Sequence, residues 1–288
     1  MKSKICCFLI LLMALLCAPA NAQGPFVLYD DFNSALMDPD KWTSSESRGV
    51  GVTLLETVRE LHGNRLLLGA RAFGNTVPIS SPPTPVPSMG TRSGDVNSAF
   101  GVTQGFQSLR VSVKVGQAQA TGCPDFNATP TTARARLIGF YFNAVKEIPT
   151  PGDRTHDVLA QIRIQRASNS PDKSQILEVY GDVVRCLDQG CSSAVTDGPS
   201  SPLLGKIMLG QWATVQIDWN GNRVFNLKLN NEQTVVYEIP LSWFVYPVSS
   251  HWNALGVSNR LSANCPVNER AMGYVEAEFD NLFVRLFP

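Results

Sequence analysis

The stretch Trp212-Ala213-Thr214-Val215-Gln216-Ile217-Asp218-Trp219-Asn220-Gly221-Asn222-Arg223-Val224-Phe225-Asn226-Leu227-Lys228-Leu229-Asn230-Asn231 decides the fold class. Ala213, Val215, Ile217 and Trp219 occupy every second position, the period of a strand with one buried face. Asn220-Gly221-Asn222 interrupts that run with turn residues, and Phe225, Leu227 and Leu229 then resume it against Asn226 and Lys228. Asn230-Asn231 marks a second turn, with Thr234 to Ile239 returning as a third strand. Such an antiparallel meander has one apolar face and needs a second layer to cover it.

The same alternation extends outward. Leu109 to Val115 alternates without a fault, and Val158 to Arg166 nearly does, setting Leu159, Ile162 and Ile164 among polar neighbours. Leu137 to Phe142 is continuously apolar, as in a central strand covered on both faces. Tyr274 to Phe279 and Leu282 to Leu286 close the chain as strand, and no segment sustains a helical period. Asn75 to Gly94 carries Pro78, Pro82, Pro83, Pro85 and Pro87 and reads as a long exposed loop; Thr121 to Thr132 and Ser168 to Ser174 read as further loops. With 22 Gly, 19 Pro and 17% charged residues, the expectation is an all-β protein, an antiparallel β-sandwich of two sheets with long loops.

The amino terminus has a different character. Lys2 and Lys4 precede the apolar run Ile5 to Leu16, and Ala20-Asn21-Ala22 follows, the three parts of a secretory signal peptide over 1–22. The apolar run is short for a membrane span. A lipoprotein reading on Cys17 meets Leu16 where a small residue is wanted. Residues 23–288 are then one exported domain, periplasmic or extracellular. Of 24 basic residues two leave with the leader, against 24 acidic ones, and this balance argues against a nucleic-acid partner.

Cys6, Cys7 and Cys17 also lie in the leader, leaving Cys123, Cys186, Cys191 and Cys265. Four cysteines in an exported chain suggest two disulfides with three possible connectivities. The short Cys186-Leu187-Asp188-Gln189-Gly190-Cys191 segment favours a local bridge, which leaves Cys123 to Cys265. Structural zinc is disfavoured because no C-x-x-C spacing occurs. Asn127-Ala128-Thr129 has the form of a glycosylation acceptor.

Tyr29-Asp30-Asp31-Phe32-Asn33 with Leu36, Asp38 and Lys41-Trp42 near the start, and Ala277-Glu278-Phe279-Asp280-Asn281-Leu282-Phe283-Val284 near the end, resemble the concanavalin A-like lectin/glucanase superfamily. The resemblance implies a jelly roll whose first and last strands pair, bringing Phe32 and Phe279 into one core. It implies glycan binding or glycoside hydrolysis as activities. It also suggests a structural calcium where the terminal strands meet, with Asp31 and Asp280 as side-chain ligands and Asp30 behind them. Sandwiches of this kind host enzymes, lectins and structural modules alike, so function must be argued from a site.

Glu276, Glu278 and Asp280 alternate along one strand, an echo of the catalytic strand of laminarinase-type enzymes, but on the final strand and with the residue types displaced. A solvent-facing row opposite Val275, Ala277 and Phe279 accounts for them equally simply, and no catalytic residue is assigned. Gln161-Ile162-Arg163 matches the Gln-x-His motif of jelly-roll lyases with its histidine replaced, and arginine is a poor base. His62, His156 and His251 sit in no catalytic or metal motif. Trp243, Tyr246 and Trp252 crowd a segment beside Asn253, Asn259 and Arg260, and aromatic and polar groups of this kind suit a glycan. The expected function is non-catalytic binding of a polysaccharide or cell-surface glycan through Trp243, Tyr246, Trp252, Asn259 and Arg260. A diverged glycoside hydrolase or lyase is the alternative, and a structural or adhesive envelope module a third.

Overall fold

The computed structural model describes residues 24–78, 91–101, 105–145, 152–170, 175–191, 193–196, 201–243 and 252–287. Residues 1–23, most of the proline-rich stretch, Tyr246 and His251 lie outside them. The strands are β1 (Val27–Asp30), β2 (Trp42–Arg48), β3 (Val52–Leu61), β4 (Leu66–Gly74), β5 (Thr76–Val77) and β6 (Thr91–Phe100). Next come β7 (Phe106–Thr121), β8 (Thr132–Asn143), β9 (Asp157–Ala167), β10 (Ile176–Cys186), β11 (Ala194–Val195) and β12 (Leu203–Met208). The last are β13 (Trp212–Trp219), β14 (Val224–Leu229), β15 (Gln233–Glu238), β16 (Asn253–Ser262), β17 (Cys265–Pro266) and β18 (Met272–Leu286).

Two antiparallel sheets stack as a jelly roll. The first runs β15-β14-β13-β7-β18-β4-β3, with β1 beside β18; the second runs β11-β10-β9-β8-β16-β6-β2, with β12 beside β10. The β13–β14–β15 meander is the one expected from residues 212–239. Asn230 and Asn231 both take left-handed backbone at its second turn, a conformation that asparagine tolerates well. At the first turn, the Asn220 side chain accepts the Asn222 and Val224 amides. Thr91 to Gly94, expected as loop, opens β6 instead. Ser93 and Asp95 point out of the sheet while Val96 points in, so an extended ladder with β16 satisfies their backbone despite the polar composition.

Inward residues of the two sheets form one core that includes Phe32, Trp42, Leu109, Ile162, Trp219, Phe225 and Phe279. The terminal motifs close it. Asp30 accepts the Trp42 indole at 2.7 Å and the Phe32 amide at 2.7 Å, fixing two core aromatics with one carboxylate. β1 pairs with β18 past its bulge, where Asn281 is left-handed. Gly181 marks a close approach of the layers: a Cβ there would lie 2.5 Å from the Leu227 side chain.

Both disulfides follow the short-loop pairing. Cys123 joins Cys265 with Cα atoms 5.6 Å apart, inside a satellite cluster with Val52, Ala72, Leu261 and Ala271. Cys186 joins Cys191 with Cα atoms 4.7 Å apart. The matched glycosylation triplet is used differently: Asn127 is buried and its amide donates to the Ala263 carbonyl at 3.1 Å, tying the Cys123 turn to the end of β16.

Candidate functional site

The outer face of the second sheet carries a groove of about 1160 Å³ that crosses β2, β6, β16, β8, β9 and β10. Strand alternation decides which side chains reach it. On β8, Ala133, Ala135 and Leu137 fill the core, which turns Arg134, Arg136, Ile138 and Phe140 outward. Gln161 and Arg163 on β9, Asp182 and Val184 on β10, Asp95 and Asn97 on β6, and Ser45 and Ser47 on β2 continue the lining.

The floor has two parts. At one end Ile138, Phe140, Leu159 and Val184 form a small cluster that includes Cys186, with Cys191 and Trp252 packed on it. The Trp252 ring meets Phe140 edge-on at 5.3 Å, and the Arg154 guanidinium lies over Trp252 at 4.2 Å. The Cys186–Cys191 bridge therefore anchors the wall of the groove, and burial lowers the basicity of Arg154, with Asp157 opposing.

The other part is charged. Arg136 and Arg163 are register partners on adjacent strands, so their side chains rise side by side. Arg136 binds Asp95 at 3.0 Å and Asn97 at 3.2 Å. Both partners reach it across Gly256, where a Cβ would collide with the Asn97 amide oxygen. Arg163 binds Asp182 at 2.8 Å and the Ser201 hydroxyl at 2.7 Å, and Gln161 also donates to Asp182. Arg134 lies two residues from Arg136 on the same face. Its basicity falls well below the usual guanidinium value, first through burial and then through Arg163, Arg260 and Arg136. Arg136, Arg163 and Arg260 thus line a space with Asp95 and Asp182, and Arg134 lies outside the lining within electrostatic reach of the three arginines.

The glycan candidates separate. Trp252 and Arg260 line the groove. Trp243 is 4% exposed and belongs to the sandwich core. Asn259 is fully buried; it shares the inward phase of Leu255 and Val257, and its amide donates to the Ala70 carbonyl of the opposite sheet at 2.9 Å. It is an inter-sheet tie and cannot meet a ligand in the groove. Asn253 is likewise buried, accepting the Phe140 amide at 3.1 Å.

The Glu276–Glu278–Asp280 row stands on the outer face of the other sheet, with Val275, Ala277 and Phe279 buried behind it. Glu278 is held by Lys114 at 2.6 Å and Arg65 at 2.9 Å, and Glu276 accepts the Tyr274 hydroxyl. Asp31 and Asp280 approach each other there. Burial and the Asp31 charge raise the Asp280 pKa, while the Asn33 amide lowers that of Asp31. Asp30 is already committed to Trp42 and Phe32. Among the described residues no third carboxylate, histidine or cysteine joins the pair.

Within the groove the two carboxylates do not form a glycosidase pair. Asp95 and Asp182 are four strands apart, about 19 Å along the sheet at about 4.8 Å per strand, against roughly 5–9.5 Å for acid–base or acid–nucleophile work. Gln161 and Arg163 do sit on the floor, as a lyase motif would. However, Arg163 is an arginine, a poor base, paired through one guanidinium nitrogen with Asp182 and Ser201, and the neighbouring Tyr180 pKa is raised, first by burial and then by its hydrogen bond to Glu178.

No protein-family model matches the chain, and no curated protein sequence does. The chain is similar in fold to distantly related solved structures. Porphyranase B from Zobellia galactanivorans is 12% identical, covering 92% of this chain and 96% of its own, with a TM-score of 0.39. A laminarinase from Flavobacterium sp. UMI-01 is 8% identical over 89% and 100%, with a TM-score of 0.43. The carbohydrate recognition domain of Emp47p is 13% identical over 88% and 94%, with a TM-score of 0.34.

The arginine floor is what sequence reading missed. Its signal was present in Ala133-Arg134-Ala135-Arg136-Leu137, where every outward position of a central strand is cationic.

Proposed function

We propose that the protein binds a polysaccharide along the outer groove of its second sheet and does not cleave it. The observation that carries this is the groove itself: an open channel crossing six strands, polar and charged over one part, with an apolar floor and the Trp252–Phe140–Arg154 platform at the other. A groove of this length suits an extended polymer, and an aromatic platform flanked by hydroxyl and amide side chains suits sugar rings. The carboxylate spacing favours holding over hydrolysis. Export by the 1–22 leader to the periplasm or beyond, as a single unit from residue 23, belongs to the same reading, and the two disulfides are compatible with it.

Affinity electrophoresis of the oxidised protein through gels cast with single polysaccharides, with reducing ends assayed in parallel, tests it. Retardation by at least one polymer is expected, reduced about tenfold in affinity by Trp252→Ala, about 1.4 kcal/mol, with no new reducing ends. Release of reducing ends would replace the reading with a hydrolase, and mobility unaffected by every polymer would reject it.

A further inference from the structure

We propose that the polymer held in the groove is polyanionic, with the guanidiniums of Arg136, Arg163 and Arg260 receiving its carboxylate or sulfate groups and Arg134, set outside the lining, adding its charge beside them; this rests on the polysaccharide reading above. The charge inventory motivates it. Each lining carboxylate already has its own arginine, Asp95 with Arg136 and Asp182 with Arg163. Glu178, on the same face beyond Tyr180, accepts the Tyr180 hydroxyl at 2.9 Å. Among the described residues no carboxylate is ion-paired with the other two. Arg260 is exposed at the groove edge. Arg134 is only 8% exposed and has no hydrogen-bond or ion-pair partner among the described residues, and its Nε is fully enclosed.

A guanidinium withdrawn from water beside three others, with no ion-pair partner among the described residues and only the more distant Asp182 to offset them, is costly to the free protein. A ligand anion supplies the missing charge, and the planar fork of arginine suits oxyanions. A neutral glycan would leave that cost unrelieved. The pattern also repeats: Arg136 and Arg163 are adjacent across strands, and Arg134 follows roughly 7 Å along β8. This suits an acid group recurring along a chain. The rest of the lining favours a glycan over a nucleic acid. Serines 45, 47, 93 and 201 and Asn97 supply small polar contacts, and the aromatics are confined to one end instead of being interleaved as base-stacking platforms.

Dextran, dextran sulfate, polygalacturonate and single-stranded DNA are the probes, titrated against the oxidised full chain at two salt concentrations. Expected is binding of dextran sulfate, polygalacturonate or both, at least tenfold tighter than dextran and weakened severalfold by salt; which of the two binds tells sulfate from carboxylate. Arg134→Met should reduce that affinity at least tenfold while leaving the melting temperature unchanged or higher, as removal of an unpaired buried charge requires. Arg134→Lys, which keeps the charge, should recover part of the binding, and Arg65→Gln on the other sheet should leave it intact. Dextran bound as tightly as the charged polymers would overturn the inference and spare the groove. Absence of binding to all three polysaccharides would overturn the inference and count against the groove reading with it. DNA bound as tightly as either acidic glycan would overturn the assignment to a glycan. A large melting-temperature loss in Arg134→Met, with wild-type affinity retained in Arg134→Lys and in a second floor variant, Arg260→Gln, would make Arg134 structural and overturn its role.

Discussion

Replacing Cys123 and Cys265 together by alanine tests how far this fold relies on cross-links. The bridge spans 142 residues in sequence, while the Cys186–Cys191 bridge spans 5. Loop-closure entropy grows with the logarithm of loop size, giving about 5 kcal/mol for the long bridge and about 2 kcal/mol for the short one at 25 °C. Both long-bridge sulfurs are fully buried against Val52, Ala72, Leu261 and Ala271, so lost packing adds to the entropic loss. With a urea m-value of about 3 kcal/mol/M for a chain of this size, the long-bridge variant should unfold about 1.5–2 M earlier. Its m-value should rise, because the uncrosslinked unfolded chain expands. The matched Cys186→Ala/Cys191→Ala variant should move less than half as far. Equal losses from the two variants, or a larger one from the short bridge, would refute the chain-entropy reasoning and place the stabilisation in native contacts.

Three further outcomes are expected. Asp182→Asn strands the Arg163 guanidinium in a site where both side chains are nearly enclosed, and should cost about 3 kcal/mol in urea unfolding. Glu278 loses some of its charged-form preference to burial, but Lys114 and Arg65 more than restore it, so its folded pKa lies below the unfolded value of about 4.3. Its contribution is complete above that pH and lost as pH falls through the folded pKa, and Glu278→Gln should flatten that part of the acid-unfolding curve. Asp280 behaves oppositely: its raised pKa, from burial first, means that ionisation costs stability as pH rises above about 4. Asp280→Asn should therefore raise the urea midpoint at pH 7, with the gain fading toward pH 3.

The legible parts of the fold were those whose residues alternate. Strands β7, β9 and β13 to β15 follow from period two in Leu109–Val115, Val158–Arg166 and Trp212–Ile239. The unbroken run in β8 marked a strand covered twice, and Ile138 and Phe140 are indeed buried on its outer side. β2 was invisible because Thr43 to Ser47 offers no apolar rhythm at a sheet edge. The groove was hidden for another reason. It depends on register: Arg136 beside Arg163, and Asp95 and Asn97 reaching over Gly256, are neighbours only once β6, β16, β8 and β9 are aligned. Whole-chain charge balance concealed a strongly cationic face. Asn259 shows the converse, since its phase with Leu255 and Val257 pointed inward and alternation alone could have placed it in the core.

The cluster of Ile138, Phe140, Leu159, Val184 and Cys186 beneath Trp252 covers β8 on the side away from the main core. A strand packed on both faces has little freedom left to lose, so the floor proposed to meet a ligand is among the stiffest parts of the molecule. Recognition by such a preorganised floor asks little ordering of the protein and leaves that cost with the partner. An already extended, inflexible chain therefore has the advantage over a supple one of the same chemistry, and backbone amides of β8 and β9 should exchange with solvent as slowly as any in the fold, with or without it.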